Sequence, residues 1–209
     1  MTPESLNALS NLRRSTHVEW YVVNILAFVV YVYASAVHRR EWNNVVLGLG
    51  FWAAEFLWEM FNALVLRWTG YSALWTIAGK STLLIYVGLN LEISMMFAVV
   101  PMVLFSLLPK ERELRIFGMP NRIVIPVALG LFCVAVESVL NHWGVLVWSY
   151  RFWRFPHVWL IAVVYCVPLA VLAWIRDRIA LPSQAKGAVA LSLLALGAHS
   201  ILANVLGWI

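Results

Sequence analysis

Residues 44–66 read NVVLGLGFWAAEFLWEMFNALVL, an apolar run in which Glu55 and Glu59 are the only charged side chains. A helix rises about 1.5 Å per residue, so about 20 apolar residues cross the hydrocarbon core of a bilayer. The run is therefore long enough to span. Because the two glutamates are four residues apart, they would share one face of that helix. The segment predicts a membrane-spanning helix that carries acids at bilayer depth.

The composition of the whole chain agrees with this interpretation. Of its 209 residues, 63% are hydrophobic and 12% are charged, whereas soluble domains carry roughly 25% charged residues. The 12 Trp and 7 Tyr are typical of helices that cross the headgroup region. The net charge of +5 comes from Lys and Arg in short loops, which predicts no nucleic-acid partner. We expect an all-α, polytopic integral membrane protein whose main partner is the lipid bilayer.

Six stretches are long and apolar enough to span, and we expect one domain over residues 1–209. Two shorter apolar pieces, 71–78 and 148–155, are predicted to be interfacial or re-entrant. The cysteines, Cys133 and Cys166, lie in apolar runs and are read as buried hydrophobic residues. The predicted spans are 20–37, 44–66, 81–108, 123–142, 157–174 and 187–208.

The distribution of Lys and Arg between the loops predicts the orientation. With six spans, the N-terminal segment shares one side with the second and fourth loops, which gives that side six basic residues against nine on the other. Cytoplasmic loops carry the excess of Lys and Arg. We therefore expect both termini on the non-cytoplasmic side, in a plasma membrane of the bacterial inner-membrane type.

Four acids fall inside predicted spans, where charge is expensive. A carboxylate at the centre of a bilayer costs about 2.5 kcal/mol or more, and no Lys or Arg lies at comparable depth. Several of these acids must therefore be protonated, share protons, be hydrogen-bonded or bind a cation. The candidate catalytic acids are Glu55, Glu59, Glu92 and Glu137.

Polar and aromatic residues accompany these acids at helical spacing. Trp52 and Asn62 extend the Glu55–Glu59 face, and Asn141 shares a face with Glu137. On the third predicted span, Tyr86, Asn90 and Ser94 would form a stripe of their own. If these faces converge, they form one polar interior; if they do not, single Asn residues are packing contacts between helices. The candidate substrate-binding residues are Trp52, Trp58, Asn62, Tyr86, Asn90, Asn141, His142 and Trp143.

Several reaction classes lack their motifs. The chain has no GxSxG elbow for a serine hydrolase and no HExxH zinc motif. The segment Gly79-Lys80-Ser81 lacks the earlier glycine of a phosphate loop, and there is no Asp-rich cluster for magnesium and diphosphate. We accordingly predict no cofactor and no bound metal. Acid–base chemistry by buried carboxyl groups remains, beside Trp and Tyr faces that stabilise carbocations.

A short resemblance supports this chemistry. The segment Phe56-Leu57-Trp58-Glu59-Met60-Phe61 resembles the Trp-Glu element in the second helix of the small integral-membrane terpene cyclases of meroterpenoid pathways. The resemblance implies that Glu59 belongs to the acid machinery that protonates a prenyl epoxide or olefin. The second acid of that family is a late aspartate, for which Glu137 substitutes here by position. Membrane carotenoid cyclases and hydratases are similar in size and in their intramembrane acids.

The leading hypothesis is therefore an intramembrane enzyme of the isoprenoid cyclase, isomerase or hydratase type, with a lipid-soluble isoprenoid as its substrate. Two other functions stay open. Intramembrane carboxylates also serve proton- or cation-coupled transporters. Four carboxylates with one or two His match the ligand count of a di-metal oxidoreductase, although Glu137 and His142 lack the usual Glu-x-x-His spacing. A network of acids that only stabilises the bundle is the fourth possibility.

Overall fold

A computed structural model describes residues 1–15 and 19–209. The chain begins with a short helix, α1 (Pro3–Asn11), whose first turn is capped by the side chain of Thr2. Six longer, apolar helices follow, and the last continues as one π-helical turn over Ser200–Val205. They are α2 (Trp20–His38), α3 (Trp42–Thr69), α4 (Leu91–Leu107), α5 (Asn121–His142), α6 (Trp159–Arg178) and α7 (Leu181–His199).

Within the described residues, five helical segments are long and apolar enough to cross a membrane: α2, α3, α5, α6 and α7 with its π-helical extension. The remaining apolar helix, α4, has 17 residues. The prediction of an all-α, polytopic helix bundle is confirmed. The helices of the first, second, fourth and fifth predicted spans begin within two residues of the predicted starts, since the apolar runs themselves set their limits. Helix α7 begins at Leu181, six residues before the predicted start of the last span.

The third predicted span, 81–108, is wrong at its N-terminal end. The helix begins at Leu91, because the side chain of Asn90 accepts a hydrogen bond from the backbone of Ile93 at 2.8 Å and caps the first turn. The preceding residues form an antiparallel pair of short strands, β2 (Leu84–Tyr86) and β3 (Leu89–Asn90). The predicted helical stripe through Tyr86 and Asn90 therefore does not exist, although both residues are buried.

The N-terminal segment with α1 and the connections before α4 and after α5 gather at one end of the bundle and form a cap, which comprises residues 1–15, 70–90 and 143–158. Strand β1 (Trp75–Ile77) pairs antiparallel with the later strand β6 (Leu146–Trp148). The backbone of Arg13 donates to Leu84 O at 2.8 Å, which ties the N-terminal segment to β2. Of the two short apolar pieces predicted to be interfacial or re-entrant, 71–78 thus contains β1, and 148–155 begins at Trp148, the last residue of β6.

The opposite end, here called the basic end, comprises loops 39–41, 108–120 and 179–180. It carries a two-stranded turn, β4 (Arg115–Ile116) with β5 (Met119–Pro120). Asp177, at the end of α6, lies 2.7 Å from Arg122 on α5. Arg176 donates to the Asn44 side chain on α3 at 2.8 Å and lies over the ring of Phe105 on α4. These contacts join four helices at one level.

Two well-packed groups of helices leave space between them. Helix α3 packs mainly against α7 and α4, while α5 packs mainly against α6. The α5–α6 contact is close because Gly130 lets the backbone of Cys166 approach: a Cβ at Gly130 would lie 3.0 Å from Cys166 backbone atoms. Contacts of α4 with α5 and α6 are fewer. The functional candidates lie where these groups face each other.

Candidate functional site

A cavity of about 630 Å³ lies between α3, α4, α5 and α6 and reaches the cap. Its volume falls in the range of about 300–1,000 Å³ that is usual for small-molecule sites. Each helix contributes a stripe of side chains with the spacing of one helical face. On α3 the stripe is Phe51, Ala54, Glu55, Trp58 and Glu59; on α5 it is Leu129, Phe132, Cys133, Val136, Glu137 and Leu140.

Three of the four predicted acids line this cavity, namely Glu55, Glu59 and Glu137. Glu55 and Glu59 stand one turn apart on α3, and Glu137 reaches the same space from α5. The Tyr165 hydroxyl lies beside the Glu137 carboxyl. We call these four side chains the carboxyl layer. The cavity lining contributed by the described residues includes no Lys, Arg or His.

Indole N–H groups from the cap orient two of the acids. Trp75 Nε1 donates to Glu59 Oε1 and Oε2 at 3.0 and 3.1 Å. Trp148 Nε1 donates to Glu137 Oε1 at 2.9 Å. Because Trp75 and Trp148 face each other in the β1–β6 register, one strand pair sets the position of both carboxyl groups. No described residue hydrogen-bonds the Glu55 carboxyl, which faces the cavity.

Three tryptophans, here called the aromatic row, lie beside the carboxyl layer. Trp75 stacks on Trp153 with 5.7 Å between ring centroids and an interplanar angle of 26°. The ring centroid of Trp58 is 5.9 Å from that of Trp75, with an interplanar angle of 31°. All three rings line the cavity. Aromatic faces attract cations within about 6 Å, so the row places a surface for positive charge next to the acids.

Asn62 and Gly88 hold β1 in place. The Asn62 side chain donates to Trp75 O at 2.9 Å and accepts from Leu74 N at 2.8 Å. A Cβ at Gly88 would lie 2.6 Å from Trp75 Nε1 and even closer to the Asn62 amide. Only glycine therefore fits at residue 88. Asn62, predicted to bind substrate, instead lies behind the cavity wall and positions the tryptophan that holds Glu59.

Three other predicted residues lie outside the cavity lining. Glu92 is in the first turn of α4, where its Oε1 accepts from Thr82 N at 2.8 Å and from the Tyr21 hydroxyl at 3.1 Å. Asn90 caps the same helix. Trp52 Nε1 donates to the Ser94 hydroxyl at 3.0 Å and joins α3 to α4. The structure thus separates Glu92 from the other three acids.

The remaining predicted residues also lie away from the carboxyl layer. The Asn141 amide donates to Leu146 O at 2.9 Å, which closes the turn after α5. His142 and Trp143 are exposed in that turn, Trp143 to 71%. Tyr86 is buried, and its hydroxyl is 2.7 Å from His199 Nδ1. Burial raises the pKa of Tyr86 to about 12, so this phenol stays neutral and can donate.

Among the described residues, no three His, Cys, Asp or Glu side chains are grouped so that they could hold a metal ion. The carboxyl layer consists of carboxyls and a phenol, which exchange protons and form hydrogen bonds. Its indole donors and the apolar surroundings exclude bulk water from the acids. The arrangement can therefore bind an apolar molecule and move protons at its surface.

Trp75, Trp148, Trp153 and Tyr165 are the functional candidates that sequence reasoning missed. The tryptophans lie in the short apolar pieces of the cap, outside any predicted span, and Tyr165 stands alone on α6. Their pairing with acids on α3 and α5 depends on the β1–β6 ladder. The sequence did contain a signal for this pairing. Two apolar pieces too short to span contain tryptophans, and buried indole N–H groups need acceptors such as the carboxyl groups of the spans.

Comparisons with known proteins agree with this architecture. A family model described as "Uncharacterized membrane protein family" matches residues 2–205. The chain belongs to this family. The chain is 39% identical over 211 residues to an uncharacterized protein of Archaeoglobus fulgidus. The alignment covers 100% of this chain and 99% of that protein. No solved structure matches the chain. Membership of this family and the five apolar helices long enough to span, counted over the described residues, both identify the chain as an integral membrane protein.

Proposed function

We propose that this family member is an intramembrane acid–base enzyme that protonates an alkene or epoxide of a lipid-soluble isoprenoid. The convergence of Glu55, Glu59 and Glu137 on one apolar cavity carries the proposal. Three carboxylates without a basic residue would repel one another in a medium of low polarity. The layer must therefore hold protons, and a cavity that holds protons beside apolar walls suits hydrocarbon substrates.

In the proposed reaction, Glu59 is the proton donor. Its proton forms a new C–H bond with an alkene, or an O–H bond with an epoxide that opens, and leaves a carbocation in the substrate. The aromatic row of Trp58, Trp75 and Trp153 faces the same space and stabilises that cation. This arrangement matches what the Trp58–Glu59 resemblance to membrane terpene cyclases implies.

Glu137 completes the cycle as the base. Its carboxylate removes a proton from the carbon next to the cation, and the C–H electron pair becomes the new C=C bond. The net reaction is an isomerisation or a cyclisation, because one proton enters and one leaves. A proton then passes from Glu137 back to Glu59, with Glu55 and the Tyr165 hydroxyl in the same layer as relays.

The test uses the solvent proton as a label. The full chain in lipid nanodiscs is incubated in D₂O with a prenol, a prenyl quinone and a carotene, and deuterium incorporation into each is measured by mass spectrometry. Protonation followed by deprotonation leaves deuterium in the substrate even if its skeleton is unchanged. General acid–base groups typically contribute about 10²–10⁴-fold, so Glu59→Gln should lower incorporation by at least about 100-fold.

The control is Glu113→Gln, which removes an exposed acid in the loop before α5 and should leave incorporation unchanged. Wild-type rates in a folded Glu59→Gln protein would contradict the assignment of the donor. Absence of deuterium incorporation with every isoprenoid, together with proton release on substrate binding, would instead indicate a proton-coupled transporter.

We also propose that the cap and both termini lie outside the cytoplasm, in a plasma membrane of the bacterial inner-membrane type. Nine Lys and Arg residues belong to the basic end and its adjoining helix turns, against six at the cap side. Cytoplasmic loops carry such an excess. Labelling of a cysteine introduced at Phe117, which is 93% exposed at the basic end, should occur only after the membrane is made permeable.

A further inference from the structure

Five side chains line the cavity and are also exposed on the outside of the bundle. We call them the rim. Their exposed fractions range from 44% to 63%, too much for residues that face only an internal space. The cavity therefore opens through the wall of helices, between α4 and the α5–α6 pair. The rim residues are Met96, Phe132, Val136, Val163 and Val167.

The opening lies at the depth of the lipid chains. Val136 is six residues before the end of α5, which is about 9 Å along the helix. Val163 and Val167 are in the first half of α6, whose 20 residues begin at Trp159. Every side chain of the rim is apolar, so the opening offers nothing to headgroups or water.

The aqueous side of the cavity is closed by the cap. Trp75, Leu146 and Trp153 form that wall and are 4–7% exposed. Thr76, which follows Trp75 in β1, is fully buried. A molecule dissolved in water would have to displace this strand pair, whereas a molecule dissolved in the bilayer meets an apolar opening.

We propose that the ligand is a membrane-dissolved isoprenoid chain that reaches the cavity sideways through the rim. Its reactive end lies at the carboxyl layer, beside Glu59 and the aromatic row, and the rest of the chain extends along the rim towards the lipid. This inference rests on the proposed function and adds a route and an orientation for the substrate.

The rim provides a matched pair of positions on one helix. Val136 is 44% exposed and lines the cavity, while Val139 is 45% exposed and does not line it. A second pair lies on α6, where Val163 lines the cavity and Val171, 47% exposed, does not. Tryptophan at a rim position should narrow the opening, and tryptophan at its partner should only add a ring in the lipid.

The experiment measures how fast a diazirine derivative of geranylgeraniol, supplied in the bilayer of nanodiscs, labels the cavity. Light is applied at set times, and labelled peptides from α5 and α6 are identified by mass spectrometry. Because gating limits access, Val136→Trp should slow labelling by about fivefold or more. Val136→Ala should accelerate it, and Val139→Trp should match the wild type. Val163→Trp and Val171→Trp repeat the comparison should the α5 variants fail to fold.

The outcomes separate this inference from the proposed function. If both rim tryptophans label at the wild-type rate, access through the rim is wrong, while the cavity and its chemistry stand. If excess geranylgeraniol does not suppress labelling of the wild-type cavity, there is no isoprenoid site and both proposals fail. Glu59→Gln should label like the wild type but incorporate deuterium at least about 100-fold more slowly, since binding precedes chemistry.

Discussion

The carboxyl layer and the basic end differ in the side chains that surround their acids. At the basic end Asp177 lies 2.7 Å from Arg122 and also within 4.0 Å of Arg112 and Arg176. In the cavity, Glu55, Glu59 and Glu137 have no described basic neighbour in the lining. Neutral indoles donate to Glu59 and Glu137. At the basic end, arginine side chains neutralise the charge of the acid. In the cavity, only bound protons can neutralise the carboxylates.

This difference distinguishes acids that hold the bundle together from acids that can react. An ion pair joins helices but cannot release a proton without losing its partner. A carboxyl with a neutral N–H donor keeps its orientation in either protonation state, because it retains an acceptor oxygen for that N–H whether or not it carries a proton. The same chemical group, a carboxyl, thus joins helices at one end and, in the proposed function, exchanges protons near the other.

The first prediction compares the stability of two variants, each of which replaces one acid of these two regions by its amide. Asp177→Asn leaves Arg122, which is 16% exposed, without its counter-charge, and removing one partner of a buried pair costs about 3–5 kcal/mol. We expect a large fall in the Tm of Asp177→Asn in detergent. Glu59→Gln should lower the Tm much less, since the amide oxygen can still accept from Trp75 and no buried charge loses its partner. A destabilised Glu59→Gln beside an unchanged Asp177→Asn would contradict the comparison.

The second prediction disturbs the carboxyl layer from behind. Gly88→Ala places a methyl group against Trp75 Nε1 and the Asn62 amide. A displacement of about 1 Å in a catalytic group can cost about 100-fold in rate, so deuterium incorporation should fall by about 10–100-fold. The control is Gly187→Ala on α7, where an added Cβ meets nothing within 4 Å. This variant should keep its activity, and its free energy of unfolding should rise by up to about 1 kcal/mol. Equal activities would disprove the role of Gly88.

The third prediction compares two stacked tryptophans. Trp75→Phe keeps a ring but removes the N–H that orients the Glu59 carboxyl, and a buried polar group left without its hydrogen bond costs about 1–3 kcal/mol. We expect a fall of about tenfold or more in deuterium incorporation. Trp153 Nε1 has no hydrogen-bond partner among the described residues, so Trp153→Phe should change the rate little. A larger effect at Trp153 would show that the ring, and not the N–H, matters.

The smallest effect is expected at the basic end. The hydrogen bond from Arg39 lowers the pKa of Glu41. A lowered pKa in the folded state stabilises the protein above the unfolded value of about 4.3, and this stabilisation is lost as the pH falls through the folded value. Because the pair is exposed, Glu41→Gln should cost only about 0.2–1 kcal/mol. The Tm difference from wild type should disappear between pH 6 and pH 3; a constant difference would exclude the ion pair as its cause.

Hydropathy predicted the bundle because the lipid imposes apolar runs of a fixed length. It failed at residues 81–90, which are apolar for a different reason: Leu84, Tyr86 and Leu89 are buried in the cap. These residues pair as strands, which hydropathy along the chain does not distinguish from a helix. The start of α4 is set by a single N-cap side chain, Asn90. A stretch that is apolar throughout does not reveal whether lipid or protein covers it.

The acids of the candidate site were predictable individually, and their partners were not. Glu55 and Glu59 share a helical face, as their spacing predicts, and Glu137 meets them in the cavity. Glu92 was predicted from its depth in a long third span, and it lies elsewhere because that span is shorter. The indole donors Trp75 and Trp148 meet only through the β1–β6 pairing, a contact between segments far apart in sequence.

The length of α4 bears on the surrounding lipid. Its 17 residues extend about 25 Å, less than the roughly 30 Å of an average hydrocarbon core. The 28 residues of α3, its neighbour, exceed that thickness. Lipids beside α4 must shorten or tilt to match it, and Met96 of α4 belongs to the rim. We therefore expect a thinner bilayer beside the opening of the cavity, and the acyl-chain length of the host membrane should affect how a lipid-soluble molecule reaches it.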